Sequence, residues 1–381
     1  MNRDPARIYL DYAATTPLRQ EVVDAMQAAL DAGGFNPSSP HAEGRRARAL
    51  LDEARDRVAS ALGASRKEIA FTGSGTESDN QAIYGVVRAL GRRGHVVTSA
   101  IEHPAVLRAL EDLAAEGFDV TVLPVDECGR IDPTDFAGAL RAETLLASVM
   151  YANNEIGTVQ PIAELAALAR ARGVPFHTDA VQAPGWLPID VLALGVDLLS
   201  LSAHKFYGPK GVGVLFVRDG TALAPLIRGG GQEFGRRSGT ENVLGIVGTA
   251  EALALATAER KEVSARVATL RDRLEAGIVE AIPGVRVNAA GAHRLPNNTS
   301  VSFAGADSET LLVRLDLEGV AVSAGSACTS GALEPSHVIE ALGAGPRWQN
   351  GVIRFSLGTP TTEAEIDRVL DILPSVVAAV R

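Results

Sequence analysis

The segment Val196-Asp-Leu-Leu-Ser-Leu-Ser-Ala-His-Lys205 gives the clearest indication of the architecture, because an apolar run leads directly into a lysine. Similar short apolar runs alternate with helical patterns from about residue 58 to residue 217. Buried strands separated by helices are typical of a mostly parallel sheet that is covered on both faces. Ligands bind beyond the carboxyl ends of the strands in such sheets, so we expect Lys205 to point toward a ligand site.

The strand and helix patterns divide the chain into two parts. Near residue 250 the pattern changes to one long amphipathic helix, in which apolar residues from Val263 to Ile282 recur at helical spacing. Shorter alternating segments and a terminal helix follow, and they indicate a smaller α+β domain. We expect a large α/β domain over residues 16–255 and a small domain formed by residues 1–15 and 256–381. The large domain is predicted to contain seven strands, at Glu68–Thr72, His95–Ser99, Val120–Pro124, Leu145–Tyr151, Val174–Thr178, Leu198–Leu201 and Gly213–Val217.

Composition excludes several classes of protein. The chain has 381 residues, of which 46% are apolar and 22% charged, so intrinsic disorder is not expected. Its net charge of −10 disfavours a nucleic-acid-binding protein that depends on bulk positive charge. The sequence has no signal-peptide pattern and no apolar run of about eighteen residues, so we expect no membrane association. Only two cysteines are present and they form no metal-binding pattern, which indicates a reducing cytoplasm and no metal site.

Lysine is rare in this chain, and one of its four lysines is placed for chemistry. Lys67 and Lys261 lie in charged segments that are typical of a solvated surface, and Lys210 lies in a turn. Lys205 follows a buried strand. A desolvated lysine amine can form a Schiff base with a carbonyl compound. A partly buried structural lysine explains the position of Lys205 equally well.

A carboxylate ends the preceding predicted strand, in the segment His177-Thr-Asp179. Adjacent strands lie about 4.8 Å apart, so Asp179 and Lys205 should lie over one site. Pyridoxal phosphate needs a carboxylate beside its ring nitrogen, which keeps the ring protonated and able to accept electrons. A helix N-cap is the other explanation for Asp179, although it leaves Lys205 unexplained.

The segment Phe71-Thr-Gly-Ser-Gly-Thr-Glu-Ser78 supplies a strand, a glycine turn and the start of a helix. Backbone amides around Thr76 would face an anion at the positive end of this helix, which suits the phosphate of the cofactor. The spacing of Thr76 and Asp79 also fits a capping box, which is the alternative explanation. Ser78 occupies the third glycine position of the dinucleotide-binding pattern, so that function is not predicted.

A cysteine lies in the segment Val322-Ser-Ala-Gly-Ser-Ala-Cys-Thr-Ser-Gly-Ala332, which is rich in small residues and typical of a mobile loop. Free cysteine is usually a small buried hydrophobic residue, so Cys328 is predicted to be a functional thiol. An unperturbed thiol is only about 3% thiolate at neutral pH, so its surroundings must activate it. Cys128 is predicted to be an ordinary turn residue.

Taken together, these segments resemble the cysteine desulfurases of the IscS/NifS type, a class-V branch of the fold-type I pyridoxal-phosphate enzymes. The resemblance extends over nearly the whole chain and includes the lysine, the aspartate and the thiol described above. Further segments that carry it begin at Tyr9 (Tyr-Leu-Asp-Tyr-Ala-Ala-Thr-Thr-Pro), Asn36 (Asn-Pro-Ser-Ser-Pro-His), Asn153 (Asn-Asn-Glu-Ile-Gly), Arg237 (Arg-Ser-Gly-Thr) and Ile353 (Ile-Arg-Phe-Ser-Leu-Gly).

The resemblance implies the cofactor pyridoxal 5'-phosphate and a role for individual residues. By this resemblance Lys205 forms the Schiff base and moves the Cα proton, while Asp179 holds the ring nitrogen, Gln182 holds the phenolic oxygen, Asn154 contacts the ring, and His103 stacks on the ring and assists proton transfer. The phosphate is held by Thr76, Ser202 and His204 at a turn shaped by Gly75. Arg354 and Asn36 bind the substrate carboxylate, and Thr240 reaches the phosphate of a neighbouring subunit.

For three of these residues, position in the sequence also allows a role without catalytic function. His103 could cap or pack a helix, Arg354 could be a solvated side chain, and Thr240 could lie in a loop that closes over its own chain. The role of Thr240 implies a homodimer with composite active sites.

The implied reaction converts L-cysteine to L-alanine and a persulfide on Cys328, which then passes sulfur to an acceptor protein. The acceptor could be an iron–sulfur scaffold or a thiolation protein; the chain ends at Arg381, without the longer tail that some family members use to dock a scaffold. The alternatives are a selenocysteine lyase or another pyridoxal-phosphate lyase or transaminase, and a non-catalytic sulfur-relay protein that kept the fold.

Overall fold

The computed structural model describes residues 7–324 and 336–381. Its helices in these ranges are α1 Gln20–Asp31, α2 Ala42–Leu62, α3 Gly75–Leu90, α4 Pro104–Ala115, α5 Pro133–Ala139, α6 Ile162–Ala171, α7 Val191–Leu194, α8 Val243–Ala281, α9 Ser308–Leu317, α10 His337–Ala341 and α11 Glu363–Ala378. The strands are β1 Ile8–Tyr9, β2 Ile69–Thr72, β3 His95–Ser99, β4 Asp119–Leu123, β5 Thr144–Ser148, β6 Phe176–Asp179, β7 Leu198–Ser202, β8 Gly213–Val217, β9 Val285–Val287, β10 Asn298–Phe303, β11 Val320–Ala321 and β12 Val352–Ser356.

A seven-stranded sheet with the order β2-β8-β7-β6-β5-β3-β4 forms the centre of the molecule. Only β8 runs antiparallel to its neighbours β2 and β7. Every residue of β3, β5, β6, β7 and β8 is buried, as expected for strands covered on both faces, although β3, β5, β6 and β7 also carry polar residues. The predicted α/β fold with a mostly parallel seven-stranded sheet is therefore confirmed.

The predicted strand Leu145–Tyr151 is longer than the observed strand, because β5 ends at Ser148. The chain nevertheless continues beside β6 beyond that point. The backbone N–H of Val149 donates to the His177 carbonyl at 3.1 Å, and that of Tyr151 donates to the Asp179 carbonyl at 2.8 Å. These bonds bring residues 149–154 to the carboxyl edge of the sheet.

Helix α8 has 39 residues and begins twenty residues before the predicted start at Val263. Asn242 caps it by accepting a hydrogen bond from the N–H of Gly245 at 3.1 Å. The first half of α8 packs on α1, where Gly248 lies against Met26, and its second half packs on α11, where Gly277 lies against Leu370. The predicted boundary between residues 255 and 256 falls inside this helix, and the division into two domains stays a prediction.

Two small sheets lie beyond the large one. β9, β10 and β12 form an antiparallel sheet, and β1 pairs in parallel with β11. After β1, Asp11 forms a bridge with Ser356 at the end of β12. The chain then turns toward the large sheet, where Thr16 donates to the carbonyl of His204. In residues 7–324 and 336–381 no helix is long and apolar enough to cross a membrane.

Candidate active site

Lys205 and Asp179 follow neighbouring strands at the same edge of the large sheet. β6 ends at Asp179, which is paired in register with Ser200 of β7, and Lys205 lies in the turn directly after β7. The Lys205 amine donates hydrogen bonds to the carbonyls of Ala13 and Ala14 at 2.7 and 2.8 Å. The structure therefore places both groups at the carboxyl edge, where the sequence predicted them.

Asp179 is buried and does not cap a helix. Its Oδ1 accepts a hydrogen bond from the N–H of Val181 at 2.8 Å, and the next helix, α7, is capped by Asp190 instead. Burial raises the pKa of Asp179, while the nearby His103 ring, the N–H of Val181 and the Lys205 amine oppose that rise. The N-cap explanation is therefore wrong, and the carboxylate is held in a place where a cationic partner would stabilise it.

His103 lies at the start of α4 and faces the same site. Its Nδ1 accepts a hydrogen bond from the N–H of Ala105 at 3.1 Å, so this histidine does cap the helix. Burial lowers the pKa of His103; Lys205 lowers it further, and the Asp179 carboxylate opposes the change. A neutral ring with Nδ1 as acceptor carries its hydrogen on Nε2, which leaves Nε2 for the site.

The amino-terminal end of α3 lies next to the ends of β6 and β7. Gly75 is required there, because a Cβ would lie 2.9 Å from the side chain of Val181 and 3.0 Å from the Cβ of Ser202. Thr76, in the first turn of α3, is exposed. Gly75, Thr76 and Ser202 thus surround a helix end whose N–H groups can bind an anion.

The alternative explanation for Thr76, a capping box with Asp79, is wrong. The cap of α3 is Ser74, which accepts from the N–H of Glu77 at 3.1 Å. Glu77 in turn accepts from the N–H of Gly73 at 2.8 Å and from Arg237 at 2.9 Å. Because these groups complete the cap, the Thr76 side chain is not used for it.

Gln182 and His204 contact the N-terminal segment that crosses the site. Gln182 donates to the carbonyl of Ala13 at 3.0 Å, the same oxygen that accepts from Lys205. Nδ1 of His204 lies 3.1 Å from the Thr15 hydroxyl. Burial, together with the charges of two lysines, lowers the pKa of His204 to about 4, so its ring is neutral at physiological pH.

A layer of buried polar side chains beneath the strand ends was missed by the sequence analysis. His177 lies between the hydroxyls of Ser148 and Ser200, at 2.8 and 2.9 Å, and burial lowers its pKa to about 3. The pKa of Asp79 is raised well above its ordinary value, mainly by burial and secondly by the negative charge of Asp179. Glu102 behaves in the same way, with a pKa raised to about 8 by burial. Charged residues next to buried apolar strands were the signal that could have revealed this layer.

Arg354 lies on β12, and only 3% of its side chain is exposed, so the solvated alternative is wrong. Its Nη1 donates to the backbone carbonyl of Asn154 at 2.9 Å, and its Nη2 donates to Oδ1 of Asp11 at 2.7 Å. Asn154 is therefore near Arg354 through its backbone. Asp11 belongs to a segment that the sequence analysis quoted, but no role was predicted for it.

Two predicted residues are exposed in the described part of the chain, and a third lies outside it. Asn36 is exposed on the turn between α1 and α2, where its Oδ1 accepts from the N–H of Ser38 at 2.9 Å. Thr240 is exposed in the segment before α8. Cys328 lies outside the described residues. Cys128 is half-buried in a turn, where its N–H donates to Asp126.

The donor set fits pyridoxal phosphate. A primary amine, a buried carboxylate and the N-terminus of a helix lie at one sheet edge, and these are the groups that its aldehyde, ring nitrogen and phosphate require. The close contact of Gly75 with Ser202 and Val181 shapes a cradle that a side chain would fill. In the described ranges no cluster of three metal-binding side chains occurs.

Comparisons with known proteins agree over nearly the full length. The family Aminotransferase class-V matches residues 8–369. A protein named cysteine desulfurase IscS from Dictyoglomus turgidum is 50% identical over 98% of this chain and 95% of its own length. Another of that name from Methanosarcina thermophila is 48% identical over 98% of this chain and 93% of its own length.

Solved structures are also similar to this chain. A NifS-like protein superposes with a TM-score of 0.92 at 37% identity, over 98% of this chain and 100% of its own. A structure described as SspA in complex with cysteine superposes with a TM-score of 0.82 at 36% identity, over 93% of this chain and 99% of its own.

Proposed function

Because this chain belongs to the class-V aminotransferase family and is a cysteine desulfurase, we propose that the carboxyl edge of its large sheet binds pyridoxal phosphate for that reaction. The observation that carries the proposal is the position of Lys205 and Asp179 after adjacent strands, opposite the amino-terminal end of α3. The ends of β6 and β7 and the start of α3 come from distant parts of the chain. Formation of the sheet does not itself require reactive or anion-binding groups at all three places.

Each part of this edge has a role toward the cofactor. Asp179 would hold the ring nitrogen, and its buried carboxylate gains a cationic partner there. The N–H groups of α3 at Gly75 and Thr76, with Ser202, would hold the phosphate. His204 would donate to the phosphate as a neutral ring. Gln182 would bind the phenolic oxygen, and Asn154 and His103 would contact the ring.

Proton transfer is proposed for Lys205 and His103. When bound, pyridoxal phosphate supplies an electron sink for the carbanion at the substrate Cα. The amine of Lys205 would remove that Cα proton. Burial lowers the pKa of the His103 ring and so favours its neutral form. This ring would take up and return a proton during the reaction.

The substrate is L-cysteine, and its carboxylate is proposed to bind Arg354, a nearly buried arginine in the middle of β12. The Cys328 thiolate would then attack the substrate sulfur, forming an S–S bond while the carbon–sulfur bond breaks. The electron pair of that bond goes to the carbon skeleton, which takes up a proton and leaves as L-alanine. The Cys328 persulfide would pass its outer sulfur to an acceptor.

A homodimer is proposed because Asn36 and Thr240 are exposed in one chain, where a second subunit could contact them. A second subunit could bring Thr240 to the phosphate and Asn36 to the substrate. An iron–sulfur scaffold or a thiolation protein is the proposed sulfur acceptor, and a cytoplasmic location stays a prediction.

The proposal is tested by measuring alanine and protein-bound persulfide together after the holoenzyme has reacted with L-cysteine, and then with L-selenocysteine. Wild type should form both products from L-cysteine. Cys328→Ala should keep the visible absorbance of the bound cofactor and form no persulfide, while the matched variant Cys128→Ser should behave as wild type. Full turnover of L-cysteine by Cys328→Ala would contradict the persulfide mechanism and favour a selenocysteine lyase.

A further inference from the structure

We propose that Asp11 competes with the substrate carboxylate for Arg354 and thereby sets the affinity of the enzyme for L-cysteine. The inference rests on the proposed role of Arg354 in substrate binding. It adds a specificity-determining residue from the opposite end of the chain, since Asp11 and Arg354 are separated by 343 positions in the sequence.

The ion pair occupies the guanidinium nitrogen that a substrate needs. A carboxylate binds an arginine most strongly through two parallel N–H groups, which come from Nε with Nη2 or from Nη1 with Nη2. Nη2 belongs to both pairs, and it donates to Oδ1 of Asp11 at 2.7 Å. Nη1 already donates to the carbonyl of Asn154, whereas Nε has no partner among residues 7–324 and 336–381. A bidentate substrate carboxylate must therefore share Nη2 with Asp11 or displace it.

Charge favours displacement over sharing. Arg354 already carries the Asp11 carboxylate on Nη2, at 2.7 Å. A bound substrate would add another carboxylate beside the same cation. Like charges at such short range repel, and the repulsion is strong where water is excluded. The carboxylate that can leave is Asp11, because 20% of its side chain is exposed.

The backbone of Asp11 is fixed, so only its side chain is free to turn away. Asp11 forms a bridge with Ser356, two residues after Arg354 on β12, and the N–H of Ser356 donates to the carbonyl of Leu10 at 2.8 Å. The Tyr9 hydroxyl donates to the backbone carbonyl of Asp11 at 3.0 Å. Two residues later the chain reaches Ala13, whose carbonyl accepts from Lys205. Asp11 is thus held between the proposed carboxylate site and the proposed Schiff-base lysine.

The decisive variant is Asp11→Asn in the holoenzyme. Removal of the competing charge should lower KM for L-cysteine by about three- to tenfold, as expected for one partly exposed ion pair, while kcat changes little. The Kd of L-alanine, measured by titration calorimetry, should fall by a similar factor. The Kd of ethylamine, which has no carboxylate, should not fall. Asp371→Asn on the exposed face of α11 makes the same change in net charge and should leave all three values as in wild type.

Two further variants separate charge from shape. Asp11→Glu keeps the charge and should keep a wild-type KM, whereas Asp11→Ser should reproduce the effect of Asp11→Asn if the latter does not fold. An unchanged or raised KM in Asp11→Asn would overturn the proposal, because Asp11 would then be inert or would orient Arg354 for the substrate. A KM lowered equally by Asp11→Glu would also overturn it.

Arg354→Lys tests the premise independently. It should raise KM for L-cysteine and the Kd of L-alanine. If it does so while Asp11→Asn has no effect, the competition is refuted and the proposed function stands. If Arg354→Lys leaves both constants unchanged, the role of Arg354 itself is wrong.

Discussion

Two of the arginine–carboxylate pairs that join distant parts of this chain differ in burial and in geometry. Arg55 of α2 donates two hydrogen bonds to Glu233, at 2.6 and 2.8 Å, and only 2% and 1% of the two side chains are exposed. Arg354 donates a single hydrogen bond to Asp11, whose side chain is 20% exposed. The first pair is sealed and the second is open on the carboxylate side.

The surroundings of the first pair make it permanent. The Arg55 guanidinium lies over the rings of Phe71 and Phe234, at 4.8 and 5.1 Å, and Glu233 also accepts from the N–H of Phe71 at 2.9 Å. Glu233 and Phe234 both have positive φ angles, 50° and 57°, which cost about 1–3 kcal/mol each in residues other than glycine. The sealed pair therefore holds a strained segment against β2.

The same two chemical groups thus serve different purposes. A dry pair with two hydrogen bonds fixes a backbone conformation, because neither partner can be left alone in the interior. A pair with one hydrogen bond and access to water can exchange its carboxylate for another. Geometry and burial decide between these purposes, and the identity of the residues does not.

Glu233→Gln is expected to give the largest effect. Loss of its charge leaves Arg55 without a counter-ion in the interior, so the free energy of unfolding should fall by about 3–5 kcal/mol. Denaturant unfolding of the variant measures this loss, with Glu262→Gln on the exposed face of α8 as the control. The KM for L-cysteine of the folded variant should be that of wild type. A loss below about 1 kcal/mol would show that the two pairs do not differ as described.

Glu102 extends the comparison, because it is a fully buried carboxyl group that has no guanidinium partner among the residues that the structure describes. Burial raises its pKa to about 8, although hydrogen bonds from Ser99 and the N–H of Met150 oppose the rise. At pH values between the pKa in the unfolded chain and the pKa in the folded protein, this carboxyl group is protonated in the folded protein and ionised in the unfolded chain. Its contribution to stability is therefore full below the unfolded pKa, about 4.5, and is lost as the pH rises through the folded pKa, about 8.

The free energy of unfolding of wild type should accordingly contain a component that falls by up to about 1.4 kcal/mol per pH unit in this interval. Glu102→Gln cannot ionise and should lack that component, whereas Glu262→Gln should retain it. Denaturant unfolding at several pH values gives the slopes. Parallel slopes for wild type and Glu102→Gln would show that the carboxyl is already ionised in the folded protein.

Asp11→Asn should give the smallest change in stability. The amide still accepts a hydrogen bond from Arg354, and the lost charge is partly exposed, so the free energy of unfolding should fall by less than about 1 kcal/mol. The same denaturant assay measures it. A loss as large as that of Glu233→Gln would place Asp11 among the structural pairs and remove the contrast between the two regions.

The sequence predicted the large sheet and the groups that follow its strands. Buried strands are rich in apolar residues, so β3 and β8 could be predicted to the residue, and Asp179 and Lys205 were placed from the ends of β6 and β7. The capping box at Thr76 was mistaken because Ser74 and Glu77 offer the same spacing two residues earlier, and only backbone geometry distinguishes the two.

Pairs between remote residues could not be predicted in the same way. Arg55 and Glu233 are 178 positions apart, and no local period connects them. Arg354 was singled out only by resemblance, and its contact with Asp11 depends on how β12 meets the segment after β1. The buried positions of Asp79 and Glu102 oppose the ordinary preference of acidic residues for water, so composition gave no reason to expect them.

Helix α8 limits how the molecule can bend. The helix is about 58 Å long at 1.5 Å per residue, and it is continuous from the packing on α1 to the packing on α11. Between Gly248 and Gly277 it contains neither glycine nor proline, the residues at which helices bend sharply. A hinge rotation of one half of the molecule against the other would have to bend this rod. The packing on α1 and the packing on α11 are therefore held at a constant separation by this helix.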